Sequence, residues 1–219
     1  MVQIYGHPFS SYTWKALIAL YERGVGFEFM MLGPDHPANN EFVARAAPTG
    51  QFPVLVDGER VVIESAAVIE YLDLHHGDAP PMVPADPRAA IAARQMDGVF
   101  DDYVIAPLQR MVAAVLREEG KRDPHVEGEV KAVLDKSYAW LDRWMSSRTW
   151  AANDGFGIAD CAAAAALFYA NWAFPIPETN AALRDYRARL LARPSIARVI
   201  DEARPWRDYF PLKGRGAPD

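Results

Sequence analysis

Two short apolar runs, Val54-Leu55-Val56 and Arg60-Val61-Val62-Ile63, flank an Asp57-Gly58 pair, and directly after them the spacing turns helical behind Ser65. The β-branched runs predict two antiparallel strands, because Asp-Gly supplies the positive φ angles of a tight hairpin turn. Ser65 predicts a helix N-cap, with Ala66 and Ala67 leaving the first-turn N–H groups unobstructed. Upstream, the pattern predicts a strand over 2–5, a helix over 11–23, a strand over 27–31 and a helix over 40–46; the helix opened by Ser65 runs to 75. Residues 1–77 therefore read as a small α/β domain.

Pro80, Pro81, Pro84 and Pro87 then fall within residues 77–87, a composition that neither continues a helix nor sits inside a sheet. A linker is expected over 78–87. From 88 to 219 the periodicity is helical, with helices predicted near 88–119, 124–147, 158–173, 179–192 and 195–203, and Pro107 expected to kink the first of them. Asp160 lies three residues after Gly157, so its carboxylate can reach back to a free N–H at the start of the third.

The chain has 219 residues, 51% of them hydrophobic and 24% charged, enough for a sizeable core in one large or two small domains. A net charge of -6 and a pI near 5.4 argue against nucleic acid or an anionic membrane as partner, since both select basic faces. The longest apolar stretch, 161–170, is too short to span a bilayer, and no signal-like segment opens the chain, so a cytoplasmic location is expected. Cys161 is the single cysteine; this excludes a disulfide framework and dithiol redox chemistry. It sits in an alanine-rich helix and is expected to be buried and inert.

Chemistry concentrates at two helix starts. The open N-terminus after Ser65 suits a carboxylate, and Glu64 beside it can accept hydrogen bonds from an ammonium, so the pair can hold a zwitterion. Earlier, Ile4-Tyr5-Gly6-His7-Pro8-Phe9-Ser10-Ser11-Tyr12-Thr13 reads as a strand, a turn and a hydroxyl-rich helix start. In this order, with Gln51-Phe52-Pro53 leading into the hairpin, these pieces resemble the glutathione transferases, cytosolic serine type (theta and zeta classes). The resemblance implies an α/β thioredoxin-like domain followed by an all-α helical bundle domain, use of glutathione as co-substrate without a metal, and a homodimer.

The resemblance also assigns roles. Ser10 is the expected catalytic hydroxyl, donating to the glutathione sulfur, with Ser11 and Tyr12 as backups. Tyr5 matches the catalytic tyrosine of the alpha, mu and pi classes but lies in a strand where an aromatic is expected core; His7 is expected in a surface turn. Pro53 corresponds to a cis proline that presents the Phe52 backbone to the cysteinyl part of glutathione, with Gln51, Glu64 and Ser65 completing the binding set. Phe9, Tyr12 and Tyr103 are expected to line the electrophile pocket; Tyr103 belongs to a stripe of Met96, Phe100, Pro107 and Met111, and Trp206 and Tyr209 either roof the site or seal the C-terminus. Gly157 stands where the family usually has Ser or Thr, which removes one half of a reciprocal cap.

The implied reaction is attack of the glutathione thiolate on a small hydrophobic electrophile, as in detoxification. Maleylacetoacetate-type cis-trans isomerisation or dehalogenation are alternatives, the former weakened because that branch follows Ser-Ser with cysteine and this chain has Tyr12. A thiol oxidoreductase would need cysteine at position 10. A non-catalytic glutathione-binding or scaffold module is the alternative of another class.

Overall fold

A computed structural model describes residues 1–76 and 79–212. Gly77 and Asp78, where the first expected domain ends and the expected linker begins, and residues 213–219 of the second lie outside the described residues. The α/β half runs β1 (Val2–Gly6), α1 (Ser11–Glu22), β2 (Phe27–Met31), α2 (Pro37–Ala46), β3 (Val54–Asp57), β4 (Arg60–Ile63) and α3 (Ser65–His75). The sheet order is β2-β1-β3-β4. β1 pairs parallel with β2 (Ile4 opposite Phe29) and antiparallel with β3 (Ile4 opposite Leu55), and β3 closes the expected hairpin with β4. Gly58 takes the left-handed φ of 59° that the turn requires.

The helical half comprises α4 (Pro87–Phe100), a π turn (Asp101–Ile105), α5 (Ala106–Val115), α6 (Val126–Met145), α7 (Ile158–Ala173), α8 (Ala181–Leu191) and α9 (Pro194–Ala203), with 3-10 turns at Glu119–Lys121 and Arg204–Tyr209. The helix expected over 88–119 is thus interrupted and ends at Val115. Pro107 explains where: it has no N–H for the Tyr103 carbonyl, which instead accepts the Ser137 hydroxyl of α6 at 2.9 Å. The Ala106 N–H reaches back five residues to Asp101, and this wider turn shifts which side chains fall on each face of the helix beyond it.

α1 packs between α3 and α7, so Trp14, Leu17, Ile18 and Leu20 are all buried. In α7 every residue except Asn171 is buried; its alanines let α1 and α4 approach closely. Cys161 lies fully inside this helix, and burial pushes its thiol pKa up. Among the described residues no helix is long and apolar enough to cross a membrane.

The proline-rich segment clamps the two halves. Arg23, buried, binds Asp73 at 2.9 Å and the carbonyl of His76, and Asp73 in turn accepts the N–H groups of Met82 and Val83 at 2.9 Å each. The Met82 carbonyl accepts the N–H of Ile158 at 3.0 Å. It lies so close to Gly157 that an added Cβ would stand 2.6 Å from its oxygen, so glycine at the cap reflects lack of room. Asp160 compensates, accepting from Gly157 N and Ala151 N at 2.9 Å each and from the Tyr186 hydroxyl at 2.5 Å.

Candidate active site

Ser10, Tyr12, Gln51, Phe52, Pro53, Glu64 and Ser65 come together from three separate segments around one cleft of about 710 Å³, closed on the helical side by Asp101, Asp102, Ala106 and Gln109. The Phe52–Pro53 peptide is cis. Ser10 is the N-cap of α1, its Oγ accepting from Thr13 N at 3.3 Å. Because the oxygen accepts, the hydroxyl proton remains free to donate into the cleft. At α3 the cap is one residue earlier than expected: Ser65 is the first helical residue, and Glu64 holds the cap position at φ 71° with no side-chain capping bond. A left-handed φ on a residue with a Cβ costs of order 1–3 kcal/mol and persists only where the surroundings impose it.

The cleft is acidic. Glu64, Asp101 and Asp102 line it, and no Lys, Arg or His among the described residues does. Anionic ends of a ligand therefore depend on backbone N–H groups, of which the first turn of α3 offers an unpaired set. The Tyr12 phenol is pushed up to about 12, first by burial and then by the fields of Asp101, Asp102 and Glu64, so it stays protonated at neutral pH and donates. Beneath the cleft Lys15, 1% exposed, bridges Asp97 at 2.8 Å and Asp101 at 2.6 Å. The two carboxylates outweigh the burial that favours a neutral amine, so the ammonium is held above its ordinary range. Burial nevertheless dominates for both acids, pushing Asp97 up to about 6 and Asp101 upward.

A second cavity of about 250 Å³ adjoins the first, walled by Phe9, Ser11, Ile105, Leu108, Tyr169 and Phe210 among others. Ser10, Phe52 and Gln109 line both cavities. The larger is polar and sized for a peptide-like ligand, the smaller is aromatic with no charged side chain among its described lining residues, and Ser10 lines both.

Residues 4–80 match the family profile "Glutathione S-transferase, N-terminal domain" and residues 102–194 match "Glutathione S-transferase, C-terminal domain". The chain belongs to the glutathione S-transferase family. It is 25% identical over 209 residues to the glutathione S-transferase GstB of Escherichia coli K12, covering 91% of this chain and 98% of that one. It is likewise 25% identical over 209 residues to a stringent starvation protein A homolog of Coxiella burnetii, covering 93% of each. A glutathione S-transferase of Methylobacterium radiotolerans, solved in complex with glutathione sulfonate, superposes with a TM-score of 0.78 at 28% identity, over 91% of this chain and 94% of that one.

Within this glutathione S-transferase fold several expected positions move. Tyr103 does not line the cleft: it is 58% exposed and lies in a groove with Val99, Lys136, Ser137 and Trp140. The π turn is the reason, since extending the 3.6-residue stripe of Met96 and Phe100 past it assigns Tyr103 to the wrong face, and Asp101, Asp102 and Gln109 face the cleft instead. Tyr5 is buried and stacks on Phe42 at 4.4 Å, away from both cavities. His7 is half-buried in the loop after β1; its ring meets Trp206 edge-on at 4.9 Å and its Nδ1 accepts from Phe9 N, and burial pushes its pKa down. Tyr209 lines the small cavity, whereas Trp206 packs on His7 and Tyr209. Sequence reasoning missed Asp101, Asp102, Gln109, Tyr169 and Lys15. A lysine within the apolar run Trp14 to Leu20 was the one available signal, because a buried ammonium demands a carboxylate partner.

Proposed function

We propose that this member is a working glutathione transferase of the serine type, in which the large cleft holds glutathione and the small cavity holds an uncharged electrophile. The unpaired N–H groups at the head of α3 receive the γ-glutamyl carboxylate, and Glu64, with Asp101 or Asp102, receives the ammonium. Phe52 pairs its backbone with the cysteinyl part, and Gln51 adds a side-chain contact. The thiol then points to Ser10. An acidic cleft opposes a thiolate, so donated hydrogen bonds must supply the stabilisation, from Ser10 first and Tyr12 second. Attack on the electrophile follows at the junction of the two cavities. The carrying observation is that Ser10 lines both spaces.

The solved relative with glutathione sulfonate supports this choice of ligand. Calorimetric titration with glutathione tests it: the parent should release heat on binding, and Glu64→Gln should weaken it by about 1.5–3 kcal/mol, the worth of a charge-assisted hydrogen bond. No binding by the parent would favour a non-catalytic scaffold role. As in the family generally, the active form is proposed to be a cytoplasmic homodimer, with the exposed Tyr103 and Trp140 covered by the second subunit.

A further inference from the structure

The turn that carries Ser10 is fastened from His7. Pro8 has no N–H, and the two backbone donors that follow both end on His7: Ser10 N on its carbonyl at 3.0 Å and Phe9 N on its Nδ1 at 3.1 Å. An amide N–H only donates, so a ring that accepts it on Nδ1 is neutral and carries its proton on Nε2. Trp14 Nε1 adds a third tie, to the Pro8 carbonyl at 2.6 Å. On its other side the His7 ring meets Trp206 at 4.9 Å, and Trp206 stacks at 5.7 Å on Tyr209, a residue of the small cavity. One half-buried imidazole thus joins the turn bearing Ser10 to the C-terminal turn beside the neighbouring cavity. Helix capping does not require it, since Ser10 Oγ already caps α1.

We propose that His7 is a positioning residue: by accepting the Phe9 N–H on Nδ1 it holds the Ser10 hydroxyl in place for the glutathione sulfur, and protonation of the ring releases that hold. This rests on the glutathione reading above, in which Ser10 is the donor, and adds the control of that donor. A protonated imidazole donates from both nitrogens, so Nδ1–H would face the Phe9 N–H, donor against donor, and the bond would break. The neighbouring residue is Ser10, whose hydrogen bond to sulfur depends on placement to a fraction of an ångström. Among the described residues, the charged side chains on the elements around the ring are Arg204, Arg207 and Asp208 of the 3-10 turn and Lys15 of α1. None of them contributes to its pKa, which burial alone lowers from 6.5. The ring is therefore neutral, and the tie intact, at neutral pH; the hold is lost only as pH falls through the lowered value.

The test compares parent, His7→Ala and His7→Asn. Alanine removes the acceptor, whereas the Asn side-chain oxygen accepts the N–H two residues on, as in an Asx turn, and gains no proton. In His7→Ala the bound glutathione thiol, followed by thiolate absorbance, should titrate nearer the free thiol, with about tenfold less thiolate on the acid side of the curve. The calorimetric glutathione Kd should stay unchanged, and His7→Asn should restore the parent's thiol pKa. Below pH 6 the kcat for benzyl chloride should fall more steeply in the parent than in His7→Asn, which retains only the thiol's ionisation. A parent-like thiol pKa in His7→Ala, an Asn variant no better than the Ala variant, or parallel acid limbs in parent and His7→Asn would each overturn the inference while leaving the transferase reading intact. A parent that binds no glutathione, or binds it without lowering its thiol pKa, would overturn both.

Discussion

Replacing Asp97 by Asn isolates the buried charge cluster that underlies the cleft. Asp97 is 7% exposed and shares the Lys15 ammonium with Asp101, which holds it at the shorter distance of 2.6 Å. Burial, the largest influence, lifts the Asp97 carboxyl from 3.8 to about 6 despite the attraction of Lys15. Because the folded value lies above the unfolded one, the native state binds more protons across that window, so stability falls as pH rises through it. A shift of about 2 units at about 1.4 kcal/mol each gives an upper value near 3 kcal/mol. Well below the unfolded value of 3.8 the group is neutral in both states and contributes no difference. Urea denaturation of parent and Asp97→Asn from pH 4 to 7.5 should therefore show the variant gaining up to ~3 kcal/mol on the parent as pH rises, mostly between 4 and 6. Equal slopes, or a variant that loses ground with rising pH, would mean that the bond to Lys15 outweighs the desolvation and would refute the argument.

The remaining predictions concern packing, reactivity and assembly. Gly157→Ser should cost about 1–3 kcal/mol by overpacking, read by chemical denaturation, because its Cβ would press on the Met82 carbonyl; a neutral effect would show that the proline-rich clamp yields. Cys161 should react with a thiol reagent only as fast as the protein unfolds, since the side chain is 0% exposed; fast labelling of native protein would contradict that. Trp140→Glu should shift the sedimentation of a homodimer toward monomer, and a parent already monomeric would remove the proposed interface.

Local chemistry made the α/β half legible. Asp57-Gly58 between β-branched runs has one good solution, and a Ser-Ser pair after a strand and turn marks a helix start, so the hairpin and α1 fall where the pattern puts them. What stayed hidden depends on partners distant in sequence. The π turn follows from Pro107 together with Ser137 on another helix, and without it neither the exposure of Tyr103 nor the cleft-facing Asp101 and Asp102 can be inferred. The cap at α3 moves from Ser65 to Glu64 because residue 64 takes a left-handed φ, which glycine would announce and glutamate does not. Gly157 was visible as a departure, but its cause, the Met82 carbonyl, comes from the linker. The site is likewise half-read: the residues that meet at the cleft lie beside helix starts and a proline, while Tyr169 is one aromatic among many on a buried helix.

The most direct test of the central claim is the pKa of the glutathione thiol in the bound state, followed by thiolate absorbance as pH is raised over parent and Ser10→Ala. The reading places this pKa below the free thiol's in the parent and returns it toward the free value in Ser10→Ala, with glutathione affinity nearly unchanged. An identical bound-thiol pKa in the two proteins would contradict it and move the role to Ser11 or Tyr12.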